Sequence, residues 1–551
     1  MSELKSGEKK LTYENVFEYP IETDNIFRLF LLTITGITII VGNYIPSFLF
    51  ETESSPLAIF SLTEFYDVDK VFNTPPEVFF SNIFLFLKPI VIQFTFVFLI
   101  FGISYYIYKK KPEKIIKGND LILIKDEKTF EMLETLRIKA GINDHVSYYT
   151  NGNIRDFSGQ VFGTGKNLYL KAGRGLLKII SLKNYVLFES IILHEFSHIK
   201  NKDIPKTYFA ESVLKIPFLI TLAVSTFVMF FALIKSIASK AFSSELTFLI
   251  VMEKAAVYLN LFIQITGLLI ILFLLFRMLI RSREYYADLR TASLLSDTSA
   301  QIKFFDKSVK KILEQNFIEK LFGYHPSFTL RSDILKDPIK IFKPSVNISF
   351  LNNLISYIFI TVALVFGVSL LLLIITLAGY SLLYLLKGVL NEILHLYLVY
   401  IEMIMGTLAI AVFMLLCGNV LRKSFFSQVD KILITQKYDK SYKKILSELI
   451  RLSTFASLGV ICGYFLMPLY GFNILNIKNL ISIPFVFIIT FTGFIILNSF
   501  HYFWMDHKIN NEYKPDYSVP VLLRLFEGVT IVMIFLSAIL SFQFFTTLII
   551  S

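Results

Sequence analysis

Nine stretches of this chain are long and apolar enough to be helices in a lipid bilayer, and nothing constrains its fold more. They lie near residues 29–50, 79–107, 208–236, 253–280, 352–378, 393–418, 453–471, 481–503 and 520–548. About 20 apolar residues span the hydrocarbon core, and a helix satisfies its own backbone hydrogen bonds there, where water cannot. With 54% hydrophobic residues, a mean hydropathy of +0.62 and 57 phenylalanines in 551 residues, the chain is too apolar for a soluble protein of this size. A polytopic α-helical membrane protein with about nine transmembrane helices is expected. The first apolar run has no small-residue cleavage site and reads as a signal anchor.

Loop charge sets the expected orientation. Residues 51–77 carry Glu51, Glu53, Glu64, Asp67, Asp69 and Glu77 against a lone Lys70, whereas KKKPEKIIK, Lys109 to Lys117, follows the second span. Basic residues stay on the cytosolic side, so the acidic loop is expected outside and the basic segment inside. The basic loop 419–452 agrees. Nine crossings then put the amino terminus in the cytosol and the carboxyl terminus outside. The formal charge of +11 is read as this topology signal plus attraction to the lipid bilayer surface, and not as nucleic-acid binding. Cys417 and Cys462 both fall within expected spans, so neither a disulfide framework nor a cysteine metal site is implied.

The chain divides into three parts. Residues 1–108 are a tail and two spans, 109–351 hold two cytosolic segments separated by a two-span hairpin at about 208–280, and 352–551 hold five spans. The first cytosolic segment has a mixed α/β pattern. Leu121 to Lys125, His145 to Thr150, Gln160 to Gly165 and Asn167 to Leu170 look like short strands, and Glu127 to Ala140 and Asn184 to Asn201 have helical periodicity.

The second helix ends in HEFSHIKNKD, His194 to Asp203, whose last two residues lie just past it. Residues four apart share a helix face, so His194 and His198 can both offer a ring nitrogen to one Zn²⁺ while Glu195 stands beside them to polarise a water. The plain alternative is a buried helix whose polar residues end its core near the membrane. A catalytic zinc needs a third ligand on the same side of the membrane, hence an even number of crossings away. After two spans the chain reads RSREYYADLRTA, Arg281 to Ala292, where Glu284 can supply the carboxylate and Asp288, one turn on, can accept a ligating histidine's free ring N–H. The alternative there is a solvated juxtamembrane helix with charge pairs such as Glu284 with Arg290.

HEFSHIKNKD, SREYYAD and HPSFTLRSDIL (His325 to Leu335) stand in an order that resembles the membrane-integrated zinc metallopeptidases that include HtpX and the CAAX prenyl endopeptidases. The resemblance covers about residues 120–340. It implies a cytosolic α/β gluzincin-type metallopeptidase domain in a multi-pass protein of the bacterial cytoplasmic membrane, its active site facing the cytosol. It also implies His194, His198 and Glu284 as ligands of one Zn²⁺, Glu195 as catalytic acid/base and Asp288 behind the ligands. His325 is placed either near the site as an oxyanion donor or at a helix start, since His-Pro commonly begins one. The expected activity is endoproteolysis of a membrane-associated protein or peptide substrate.

Two features depart from that family. Its members have about four or seven spans, so the five carboxyl-terminal spans here do not map onto them; guiding a membrane substrate and forming a homo-oligomer are the roles left open. DFSGQVFGTG, Asp156 to Gly165, replaces the asparagine-alanine-rich edge strand that would pair with an extended substrate. The competing readings are a transporter or membrane scaffold, for which Glu402 and Lys88 are the intramembrane charges to watch, and a peptidase-sensor receptor, for which the chain has no large outside loop. GTGKN, Gly163 to Asn167, lacks phosphate-loop spacing, and His145, His395, His501 and His507 read as structural or interfacial.

Overall fold

A computed structural model describes residues 11–49, 76–165, 167–181, 185–215, 248–299, 301–303, 305–306, 326–362, 391–438, 444–466, 477–511 and 520–548, with scattered positions between 219 and 238. His325 lies outside the described residues, as do the side chains of Lys88, His395 and Glu402. Among the described residues six helices are long and apolar enough to cross a membrane: Glu22–Ile40, Phe262–Leu294, Pro338–Val362, Ile445–Phe465, Ser482–Lys508 and Val521–Ser541. The second and sixth expected spans fall within the helices Pro76–Gly118 and Asn391–Tyr438. Most of 208–236 lies outside the described residues.

The elements follow in chain order. Helices α1 (Glu22–Leu49) and α2 (Pro76–Gly118) lead into β1 (Ile122–Leu123), α3 (Glu127–Lys139), β2 (Val146–Thr150), β3 (Gly159–Thr164) and β4 (Asn167–Ala172). Then come α4 (Arg174–Ser181), α5 (Tyr185–Lys200), α6 (Ile204–Lys215), α7 (Phe248–Leu294), α8 (Phe328–Lys336) and α9 (346–362). The chain closes with α10 (Asn391–Tyr438), α11 (Ile445–Phe465), α12 (Ile477–Asn511) and α13 (Val521–Leu548).

All four strands fall on the alternating stretches of the sequence, joined in the order β1-β2-β4-β3. β2 runs parallel to β4, while β1 and β3 are antiparallel to their neighbours. β3 is therefore an edge, with backbone groups turned away from β4. The sheet packs on α3, α5 and α6 through Leu133, Tyr148, Phe162, Phe188, Ile192 and Phe196, all buried. Burying one such side chain contributes about 1.5–3 kcal/mol, so this core fixes the rotation of α5 and thereby the direction of its polar face.

α7 has 47 residues, about 70 Å at the helical rise, more than twice the thickness of a hydrocarbon core. Glu284 and Asp288 follow its apolar run, beyond Arg277 and Arg281. The amino-terminal segment completes the base of the assembly. Leu11, Val16 and Tyr19 are buried with Tyr286, Leu289, Ile334, Leu335, Phe342 and Ile434, joining α7, α8 and α10 in one apolar cluster.

Candidate metal centre

α5 and α7 pack side by side. The contact brings His194 and His198 of α5 against Glu284 of α7. One ligand atom from each of the three lies within 4.8 Å of the other two. His194 Nε2 is 3.4 Å from one Glu284 oxygen and His198 Nε2 is 3.6 Å from the other. The two imidazoles stand edge to face, with centroids 4.8 Å apart and planes at 85°. A tetrahedral ion with bonds of about 2.1 Å holds its ligand atoms roughly 3.4 Å apart. Two imidazoles and a carboxylate are also the donor types that zinc takes. The cluster fits such an ion by spacing and by chemistry.

Behind each histidine stands a carboxylate. Asp288 Oδ1 is 3.0 Å from His194 Nδ1, and Arg331 of α8 grips the same carboxylate through Nε (2.6 Å) and Nη2 (2.7 Å). His198 Nδ1 is 3.1 Å from Asp203 Oδ2. Such partners fix the ring tautomer so that Nε2 offers its lone pair. Burial alone would depress the imidazole pKa of His194. The Asp288 and Glu284 carboxylates outweigh it and hold the pKa up to about 10, so without a cation the proton sits where one would bind.

Asp203 reaches His198 because of how α5 ends. Lys202 takes a left-handed φ of 56°. The Lys202 N–H then bonds Ile199 O at 3.0 Å and the Asp203 N–H bonds His198 O at 3.3 Å, a Schellman-type reversal. The turn folds Asp203 back under the helix it follows. It is cross-tied to α7 by Arg290, whose Nε donates to Asn201 Oδ1 at 2.5 Å. Arg290 is thus engaged with Asn201, and not with Glu284 as the charge-pair alternative would have it.

Glu195, beside the two histidines on the helix, reaches β3. Its Oε2 accepts the Val161 N–H at 2.9 Å, and Tyr208 of α6 donates to Val161 O at 3.2 Å. Gly159, two residues earlier, gives Glu195 its room: a Cβ there would come 2.8 Å from Glu195 Cγ.

Of the residues singled out in the sequence, His194, His198, Glu284 and Asp288 come together, and Glu195, next to His194 in the chain, is engaged with β3. His325 falls outside the described residues, and the nearest described feature, Ser327, caps α8 by accepting the Leu330 N–H at 3.3 Å. Sequence reasoning passed over Asp203 and gave Arg331 no role. Asp203 was in view as the last residue of HEFSHIKNKD, but its role needs the left-handed turn at Lys202; Arg331 needs α8 laid against α7, which no local pattern states.

A family match falls on the segment that builds this cluster, from the edge strand through both histidines and the returning helix to α8. Residues 161–339 match peptidase family M48. That is the family of HtpX and the CAAX prenyl endopeptidases, and its members are zinc metallopeptidases. The M48 match begins at Val161, whose N–H meets Glu195, and ends three residues past α8. No curated protein and no solved structure matches the chain. The M48 segment therefore supports a metallopeptidase, and helices apolar enough to cross a membrane flank it on both sides.

Proposed function

We propose that the chain is a membrane-embedded zinc endopeptidase that hydrolyses peptide bonds of membrane-associated proteins or peptides on the cytosolic side. One observation carries this reading: His194, His198 and Glu284, from helices separated by a hairpin, converge with spacing suited to one ion inside a segment that matches a zinc metallopeptidase family. Bound there, zinc would supply Lewis acidity, polarising a peptide carbonyl and making water acidic.

The chain's own residues do the rest. His194, His198 and Glu284 would hold the ion, and Asp288, Asp203 and Arg331 would keep the two rings aimed at it. Glu195 takes the proton from the attacking water and returns it to the amine that leaves. Its Oε2 accepts the Val161 N–H, so the same carboxylate stands at the edge of β3. An extended peptide adding to that edge would lie beside it. The domain division at 109–351 and the active site's cytosolic face rest on loop charge and on Glu284 following the apolar run of α7 that ends at Ile280.

The experiment compares purified full-length protein with Glu195→Gln for zinc content and peptide hydrolysis. Retained zinc with cleavage lowered about 10³-fold or more is expected when the acid/base group is removed. Undiminished cleavage by the variant would end the reading. Persistent solute flux after zinc removal would support the transporter alternative.

A further inference from the structure

The turn that feeds β3 is built with unusual rigidity and carries apolar side chains outward. Asp156 anchors it: its carboxylate accepts from the Ser158 N–H (2.9 Å), Ser158 Oγ (2.5 Å) and Asn151 Nδ2 (2.7 Å), and pairs with Lys171 at 2.9 Å. Burial would raise the Asp156 carboxyl; the Ser158 and Lys171 contacts outweigh it and hold the group well below the usual carboxylate range. The backbone is equally confined. A Cβ on Gly173 would come 2.3 Å from Asp156 O, and one on Gly175 would come 2.5 Å from Ile154 O. Yet on this pinned turn Phe157 is 56% exposed and Ile154 54%.

Phe157 stands two residues before Gly159, which touches the Glu195 side chain, and four before Val161, which bonds it. In an antiparallel edge strand every second residue turns both its N–H and its C=O outward. Val161 is such a residue, since its N–H goes to Glu195 and its C=O to Tyr208. Its outward groups are already taken. Gly159 is the next outward position, so a peptide adding to this edge pairs from Gly159 towards Phe157, away from the occupied Val161.

We infer that Phe157, with Ile154, forms an apolar lip that selects an aliphatic or aromatic side chain in an extended peptide laid along β3, to one side of the scissile bond. This rests on the peptidase reading and adds to it a substrate class, peptides with an apolar residue at one fixed position. The rigid turn is what makes selection effective, because a preformed surface orders only the peptide on binding.

The test uses zinc-loaded full-length protein in nanodiscs and a peptide set varied at one position at a time. At one position, Phe or Leu should be cleaved about tenfold or more faster in kcat/KM than Ser or Asp, the range an apolar pocket can discriminate. In Phe157→Ser that ratio should fall to within about threefold, and Phe157→Leu should restore most of it, with zinc content unchanged in both. The same peptides binding to zinc-loaded Glu195→Gln, followed by fluorescence anisotropy, should rank in the same order and lose that order when Phe157→Ser is added. An unchanged preference in Phe157→Ser overturns the lip. So does a variant whose only defect is weaker association of the solubilised protein with vesicles, which would make the turn a lipid contact. If wild type and Glu195→Gln cleave equally, the peptidase reading fails; a ranked binding series lost in Phe157→Ser would still uphold the lip.

Discussion

At the residue scale the centre depends on two carboxylates that touch no ion. Asp203 shares a hydrogen bond with His198 Nδ1 at 3.1 Å, and Asp288 stands 3.0 Å from His194 Nδ1. Losing such a partner typically weakens metal binding 10–100-fold, because the ring is then free to rotate and to take the wrong tautomer. Asp203→Asn and Asp288→Asn should each raise the zinc dissociation constant by about that factor in chelator competition, while Glu195→Gln leaves it unchanged. Equal affinities in all three would show the rings held by packing alone. The pH dependence follows from His194. Its folded pKa is raised from 6.5 to about 10, so in metal-free protein its protonation contributes stability that is full below about 6.5 and is lost as pH rises towards 10. A cation must displace that proton, so apparent zinc affinity should climb between those limits by up to about tenfold per pH unit. Calorimetry in buffers of different ionisation enthalpy at pH 7.5 should register about one released proton. The pair His194 and His198 was legible in the sequence because a spacing of four is a property of one helix turn. Asp203 was not, because Lys202 gives no hint of a left-handed φ that glycine or asparagine would have advertised.

At the scale of elements, function depends on how closely β3 approaches α5. Glu195 can reach the Val161 N–H only because Gly159 has no side chain. Gly159→Ala puts a methyl group 2.8 Å from Glu195 Cγ and must push that carboxylate aside. A Cβ at Gly159 meets Glu195 and Ile191 rather than His194, His198 or Glu284, so the variant should keep its zinc and lose catalysis, by about 10²-fold for a displacement near 1 Å. Zinc content and kcat measured together decide it; full activity would mean that the helix simply shifts as a unit. The strands were readable from alternation and the α5 helix from its period. Their order was not: β2 lies parallel to β4 with β3 outside both, an arrangement set by the shared core of Phe162, Phe188 and Phe196 rather than by any one segment's pattern. The same holds for Arg331, whose grip on Asp288 joins residues 43 apart.

At the scale of the whole molecule, the carboxyl-terminal helices are tied to the M48-matching segment rather than merely tethered to it. α10 is the tie. Gln428 accepts the Ser345 N–H at 2.8 Å, Thr435 donates to Phe342 O at 3.0 Å, and Lys431 meets Glu22 of α1 at 2.5 Å. The amino-terminal segment crosses the same junction, with Tyr13 donating to Leu335 O at 2.7 Å and Tyr19 and Tyr438 sharing a bond of 2.9 Å. Nothing local in the sequence announces such long-range ties, and the apolar runs that made the membrane class plain carry no record of which helix meets which. One buried charge network sets the position of α10 among its neighbours. His501 of α12 stacks on Phe426 at 3.9 Å, with Glu527 of α13 at 2.6 Å from Nδ1 and Asp430 at 3.1 Å from Nε2, and Arg422 pairs with Glu527. The two carboxylates flank opposite nitrogens of one ring and Arg422 meets one of them, so Asp430, Glu527 and Arg422 each have a partner. Removing one partner strands a charge in an apolar interior, at a cost of about 3–5 kcal/mol, whereas replacing buried charges together by apolar groups of similar volume is often neutral. Glu527→Gln should therefore lower the thermal midpoint in detergent by several degrees, and the combined change Arg422→Met, Glu527→Leu, His501→Phe should recover most of it. Because α10 is bound to both halves, release of zinc should track the bundle's melting in Glu527→Gln, in a single transition followed by a zinc-sensitive dye and by intrinsic fluorescence. A bundle that melts first and leaves the zinc in place would instead show that the two halves are mechanically independent.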